Sequence, residues 1–259
     1  MPAVAGSHLK KVPKKRLNEP LVWVIEVAVW VVGALVLSTL LRIFVVQLFV
    51  VPSESMEDTL QKNDRIAALR LAKLNRGDIV VFSDPGGWLS GPAAPVSAVH
   101  RLFEKIGVLA STDQQYLVKR VIGLPGDHVQ CCTVAGQLSV NGVVIDESGY
   151  LKEPHQPASG FAFDVVVPAG RIFVMGDNRY HSADSRWHIC SDDDPAGFGM
   201  AGFVPMSRVV GPVRAVVMPF ARTGHRPTQP ALADVAPAPS APPAAIVSVT
   251  DGPAGSCHS

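Results

Sequence analysis

The chain contains no C-x-x-C pair, no H-E-x-x-H signature and no G-x-S-x-G segment. Zinc centres draw on cysteine and histidine at short regular spacing, and a strand-to-helix nucleophile elbow needs glycines around its serine. These absences argue against both, and neither a metal nor a cofactor is expected. Charge of one sign is also missing: Lys and Arg total 23 against 22 Asp and Glu, a formal net charge of +1. Without a basic stripe to neutralise phosphates, nucleic acid is not an expected partner. No internal repeat is found, and after Ala221 aromatic residues disappear.

Apolar sequence, by contrast, is abundant, at 47% of residues. The surplus is concentrated near the N-terminus, where Leu21 to Leu41 is interrupted only by Glu26, Ser38 and Thr39. At the helical rise of about 1.5 Å per residue, that run crosses the hydrocarbon core of a bilayer. Lys10, Lys11, Lys14, Lys15 and Arg16 precede it and Arg42 follows it, so the positive-inside rule puts the N-terminus in the cytoplasm and the remainder outside. A cleavable signal sequence also begins basic and turns apolar, but its apolar region is only about 7 to 15 residues long, which favours a retained anchor. Outside the cytoplasm disulfides persist. Of Cys131, Cys132, Cys190 and Cys257, the expected pair joins Cys131 or Cys132 to Cys190.

The expected fold is mainly β, an N-terminal transmembrane helix followed by a β-rich catalytic domain. Residues 1–20 read as a cytoplasmic basic segment, 21–42 as the anchor, 43–220 as the extracytoplasmic domain and 221–259 as a disordered Pro/Ala-rich tail. Ile43 to Val51 reads as a strand ending at Pro52. Further strands are expected at Arg65–Leu69, Asp78–Phe82, Val96–Phe103, Tyr116–Ile122, His128–Gln130, Gln137–Val140, Phe163–Val167, Arg171–Met175 and Val209–Met218. Asn141-Gly142, between the apolar halves of Val134–Ile145, is the clearest hairpin signal.

Three segments carry chemistry. Pro52-Ser53-Glu54-Ser55-Met56 follows the first strand and offers Ser55 as a nucleophile. A serine needs a base able to take its proton, and Lys119, inside an apolar strand, becomes one if burial lowers its pKa. Of the five lysines beyond the anchor, Lys62, Lys73, Lys105, Lys119 and Lys152, only Lys119 combines a strand pattern with an adjacent Gly-containing turn. Ser53 and Ser55 lie two apart, so in an extended segment both hydroxyls point to one side and converge on an oxyanion. Met56 serves as a core or membrane-facing residue. In the third segment Asp177, Arg179, Asp184 and Arg186 alternate in charge around Ser182, as in a tightly turned loop in which Ser182 orients Lys119 and the charged pairs brace the site. Two other readings use the same residues differently: a Ser-His-Asp triad drawing on His100, His128 or His181, and a non-enzymatic anchored β module in which the serines are structural.

PSESMEDTL, GDIVVF, KRVIGLPGD, GDNRYHSADSR and GFVP follow one another in the order seen in bacterial type I signal peptidases, and from Phe49 to Met218 the chain resembles that family. The resemblance implies a membrane-anchored endopeptidase that removes signal peptides through a Ser-Lys dyad and an acyl-enzyme, cutting after small residues. Ser55 would be the nucleophile, Lys119 the general base, Ser53 an oxyanion donor and Ser182 the partner of the lysine, with Asp177, Arg179, Asp184 and Arg186 as structural support. It also implies exported preproteins as substrates, and membrane lipid and the export translocon as neighbours. Three features depart from the family pattern. Glu54 and Asp58 stand where many members have glycine and proline, the stretch 187–202 is longer than in compact members, and the tail lies outside the resemblance.

Overall fold

The computed structural model of the protein describes residues 19–89, 115–190 and 197–250. The expected strand Val96–Phe103, with His100, and most of the basic N-terminal segment lie outside the described residues. One unit comprises residues 1–41 and a second residues 42–259. The helix α1, Glu19–Phe44, begins in the first and contains an apolar stretch Val22–Leu40 with mean hydropathy 2.1 and none of it buried by protein. That is long and apolar enough to cross a membrane. Thr39 returns its hydroxyl to the Leu35 carbonyl at 2.8 Å, which spares the helix a dangling polar group.

The second unit is built on two antiparallel sheets. The larger contains β1 (Val46–Val50), β2 (Arg65–Leu69), β3 (Ile79–Ser83), β4 (Tyr116–Gly123), β9 (Arg171–Met175), β10 (Val204–Pro205), β11 (Val209–Met218) and β12 (Gly224–His225). Its order is β1-β2-β11-β3-β4-β9-β10, with β12 beside β11. The smaller contains β5 (His128–Cys131), β6 (Leu138–Val140), β7 (Val143–Val144), β8 (Ala162–Val166) and β13 (Ile246–Thr250), in the order β13-β8-β5-β6-β7. β4 lies between β3 and β9, and every residue from Leu117 to Gly123 is buried. Both of its faces are covered, which is why its sequence reads as a continuous apolar run broken only by Lys119 and Arg120.

One face of the larger sheet packs Phe49, Val51, Met56, Leu60, Ile66 and Val216. The other packs Val80, Phe82, Trp88, Leu117, Val121 and Val174. A third cluster, around Val129, Leu138, Phe163, Phe173 and Phe203, serves the smaller sheet. The long strand β11 pairs with β3 at its start and β2 at its end, with register shifts along both pairings. Gly211 permits the crossing, since a Cβ there would collide with the Leu69 carbonyl. The Asn141-Gly142 hairpin forms as expected: both residues have positive φ, 52° and 79°, and join β6 to β7 in the tight turn whose twist matches the strands.

Two expectations are corrected. Cys131 and Cys132 are bonded to each other, and Cys190 is held in a different disulfide although it shares a core cluster with Cys131. Adjacent sulfurs meet without any tertiary approach, so this short closure displaces the long-range pairing.

The tail, expected to be disordered, is ordered over its described part. β12 pairs with β11, Pro230–Ala233 forms a helical turn, and β13 pairs with all five residues of β8. Leu232 and Val235 are buried in the cluster of the smaller sheet. The composition is poor in apolar residues, but the few present are spent on anchors, and a sheet edge supplies backbone partners that composition does not reveal. Leu232→Ala is expected to lower the unfolding free energy by about 2–4 kcal/mol in a urea titration, the usual cost of emptying a buried leucine site. A cost near zero would return the tail to the disordered class.

Candidate active site

Val51 leaves β1 with both of its backbone groups engaged, its N–H on the Asp64 carbonyl and its carbonyl accepting from Asn63, each at 2.9 Å. The intervening loop is therefore closed at its base. Met56 and Leu60 point into the core, fully buried, and the Leu60 N–H donates to the Met56 carbonyl at 2.8 Å. Met56 is thus an apolar anchor, and Ser55 is carried on the turn that it fixes. The segment from Ser53 to Thr59 is bent rather than extended. The Ser53 and Ser55 hydroxyls nonetheless lie on one side, 3.2 Å apart, because the turn brings together what a strand's alternation was expected to align.

Lys119 stands opposite Val80 on β4 and is 4% exposed, as is Ser55. Its Nζ donates to Ser55 Oγ at 2.5 Å. Burial disfavours the ammonium and lowers the pKa from 10.5 to about 8. Asp184 and Asp177 pull it up, and Arg186 pushes it down. The aliphatic environment that makes Lys119 costly to charge is supplied by the strands on either side of β4.

The third segment wraps this pair. The Asn178 N–H donates to the Ser55 carbonyl at 3.0 Å and its side chain to the Glu54 carbonyl at 3.1 Å, which pins the peptide groups on both sides of Ser55. Asp184 accepts from the Gly176 N–H at 2.9 Å and is gripped at both oxygens by Arg186, each at 2.8 Å. Burial alone would raise the Asp184 carboxyl; Arg186, the Gly176 N–H and Lys119 together hold it below the usual range. Arg186 also reaches the Arg179 carbonyl at 2.8 Å. The loop is closed on itself as expected for that pair.

The other two charges reach outside the loop. Asp177 pairs with Arg120, Nε to Oδ1 at 2.8 Å and Nη2 to Oδ2 at 2.6 Å, with both side chains fully buried. Thr59 adds its hydroxyl to Asp177 at 2.6 Å, so one carboxylate ties the serine turn to β4. Arg179 pairs with Glu147, Nη2 to Oε1 at 2.5 Å, and the Arg120 guanidinium lies over the Tyr150 ring at 4.2 Å. Arg120, Thr59 and Glu147 were missed in the sequence. Arg120 had a signal, since a second consecutive charge in a doubly covered strand needs a buried partner; Glu147, in an irregular segment, had none.

Ser182 departs from expectation. Its hydroxyl is buried beside Gly176 but makes no hydrogen bond among the described residues, and the Lys119 amine is directed to Ser55 instead. Gly176 has no room for a side chain because the Ser182 hydroxyl and the Ser55 carbonyl both press on it. Among the described residues the triad reading gains nothing. His128 pairs with Asp164 on the smaller sheet at 2.5 Å, and His181 is exposed. Among the described residues no group of His, Cys, Asp and Glu converges as metal ligands would.

Removing one partner of a fully buried bidentate pair strands the other charge. Asp177→Ala is therefore expected to cost about 3–5 kcal/mol in chemical denaturation; a loss below about 1 kcal/mol, the value of an exposed pair, would mean that Arg120 finds other partners.

Residues 24–218 match the family described as signal peptidase, peptidase S26. The chain is 38% identical to signal peptidase I of Mycobacterium tuberculosis over 224 residues, covering 77% of this chain and 74% of that one. It is 36% identical to a probable signal peptidase I of Mycobacterium leprae over 240 residues, covering 82% and 80%. At 34% identity over 175 residues it is also similar to signal peptidase I S of Bacillus subtilis, covering 63% and 78%. With the family match spanning most of the chain and the relatives aligned over most of their own length, this chain belongs to the signal peptidase family, peptidase S26, and is a serine peptidase enzyme that removes signal peptides.

Proposed function

We propose that the protein is a single-pass, membrane-anchored endopeptidase in which Ser55 and Lys119 form a catalytic dyad and cleavage falls after the second small residue of an Ala-x-Ala-like site in exported preproteins. The observation that carries this reading is the contact of 2.5 Å between Lys119 Nζ and Ser55 Oγ in a site where both residues are buried. When the amine is neutral the same contact runs the other way, the Ser55 hydroxyl donating to the nitrogen lone pair. Ser55 Oγ then attacks the scissile carbonyl while Lys119 takes its proton.

The oxyanion that forms needs donors where its charge develops. Ser53, whose hydroxyl already lies 3.2 Å from Ser55 Oγ, supplies one and the Ser55 backbone N–H another. Collapse expels the new amino terminus, which receives its proton from Lys119, and leaves an acyl ester on Ser55. Lys119, neutral again, deprotonates the water that hydrolyses the ester. Ser182, buried at the site with a free hydroxyl, becomes an acceptor for the ammonium in the interval when Lys119 is charged. Small substrate residues at the cut require shallow pockets beside the serine.

The apolar stretch Val22–Leu40 and the basic residues before it support an anchor with a cytoplasmic N-terminus and the dyad on the outer side, in contact with membrane lipid and within reach of chains leaving the translocon.

Cleavage of an Ala-x-Ala preprotein by the detergent-solubilised protein, followed by product mass, tests the dyad. Ser55→Ala and Lys119→Arg are expected to lower kcat/KM by at least about a thousandfold, as loss of a nucleophile or its base does elsewhere; near-normal cutting by either would move the chemistry to other residues.

The pH dependence follows from the lysine. Its pKa of about 8 means that activity rises with pH through a limb near 8. At pH 7 only about one molecule in ten carries the neutral amine. The folded state holds this proton less tightly than the unfolded chain, so burial of the ammonium opposes folding below pH 8 and the penalty fades as pH climbs from about 8 toward 10.5. Lys119→Met is therefore expected to be inactive yet to melt higher than the parent at pH 7, with the gap narrowing above pH 8; an equal or lower melting temperature at pH 7 would show that the lysine is not held at a cost.

A further inference from the structure

Residues after 218 lie beyond the span that matches the family, yet Gln229 to Val249 are docked along the catalytic unit. The Gln229 N–H faces the Gly77 carbonyl at 3.4 Å, so closely that a Cβ on Gly77 would stand 2.8 Å from the Gln229 carbonyl oxygen. Leu232 and Val235 are buried in the core. Arg76, buried and unused by the proposed chemistry, donates Nη1 to the Val235 carbonyl at 2.6 Å and grips Asp127 through Nε and Nη2 at 2.5 and 2.6 Å. The Pro242 carbonyl accepts from the Ala169 N–H at 2.7 Å, and β13 completes the edge of β8.

These contacts converge on the half of β4 that follows Lys119. Gly77 donates its N–H to the Val121 carbonyl at 2.8 Å, and its own carbonyl accepts from Arg120 Nη1 at 2.7 Å. Asp127 ends the turn after β4 and accepts the Leu124 N–H at 2.7 Å. Arg76 and Gly77 are consecutive. One short segment therefore holds the strap on one side and, on the other, both the strand that carries the lysine and the turn that ends it.

We propose that residues 229–250 are a positioning strap for the catalytic lysine: docked, they hold β4 where Lys119 Nζ meets Ser55 Oγ, and without them the pair is misaligned. The proposal rests on the Ser55–Lys119 reading. Its physical basis is the steepness of catalysis with geometry, since a displacement of about 1 Å far from the chemistry costs up to about a hundredfold. A passive cover would instead change only how much enzyme is folded. A loosened β4 also admits water to Lys119, whose charged neighbours are Asp184, Arg186 and Asp177, and moves its titration up toward the ordinary lysine range.

The test compares the full chain, a chain ending at Thr228 and full-length Leu232→Ala, all detergent-solubilised, on an Ala-x-Ala preprotein. Rates are divided by the folded fraction. The Thr228 chain is expected to lose about tenfold to a hundredfold in kcat with KM little changed, and its activity limb to move above that of the full chain. A synthetic peptide of residues 229–250 restores part of the loss. Parent kcat and limb in the Thr228 chain, a loss that vanishes on division by folded fraction, or no recovery with the peptide would each overturn the proposal. Should the Thr228 chain fail to fold, Leu232→Ala decides by the same kcat and limb. Ser55→Ala, run alongside, reports separately on the nucleophile: cutting by that variant would remove the underlying reading rather than the strap.

Discussion

A lysine amine held out of water is the constraint on which the rest of this structure depends. An ammonium in bulk solvent is useless as a base at neutral pH, and only a site that makes its charge unfavourable turns it into one. Lys119 is placed in a strand of the larger sheet that is buried from Leu117 to Gly123, with apolar clusters on both faces, and its pKa falls to about 8. The fold accepts a destabilising residue at its centre and offsets it with packing around that residue.

Such a site tolerates little movement, and the ionic network can be understood from that need. Arg120 and Asp177 join β4 to the loop after β9, and Thr59 brings the serine turn to the same carboxylate. Asp184 and Arg186 close that loop, and Asn178 holds the peptide groups on either side of Ser55. None of these groups is placed to react. Each buried pair is expensive to desolvate and gives little net stability, but it permits only a narrow set of geometries, and the proposed serine–lysine chemistry needs that restriction. The charges also act on the lysine from a distance, two acids raising its pKa and one arginine lowering it, while burial remains the dominant influence.

The smaller sheet and the C-terminal segment do no chemistry. They finish the enclosure: β13 covers an edge of β8 that would otherwise present unpaired backbone groups, and Arg76 links the segment to the turn after β4. A Pro- and Ala-rich chain needs few apolar side chains for this because its carbonyls do much of the holding, accepting from Arg76, Asn141 and Ala169.

Local pattern was enough, by itself, for the apolar helix, for nine of the strands and for the Asn141-Gly142 hairpin, because each depends on residues adjacent in the chain. It was also enough to single out Ser55 and Lys119, since a serine beyond a span and a lysine inside an apolar strand are visible without coordinates. What the sequence left undecided were relations between distant residues. Charge alternation in the loop 177–186 suggested internal pairs, and one exists, but Asp177 turns to Arg120 and Arg179 to Glu147 because burial, not proximity in the chain, selects a partner. Cys190 was expected to pair with Cys131 or Cys132 and has another partner. The tail was judged from average composition, while its order comes from Leu232, Val235 and a free sheet edge. Composition measures what a segment can bury alone, and only the tertiary structure decides what another part of the chain will cover for it.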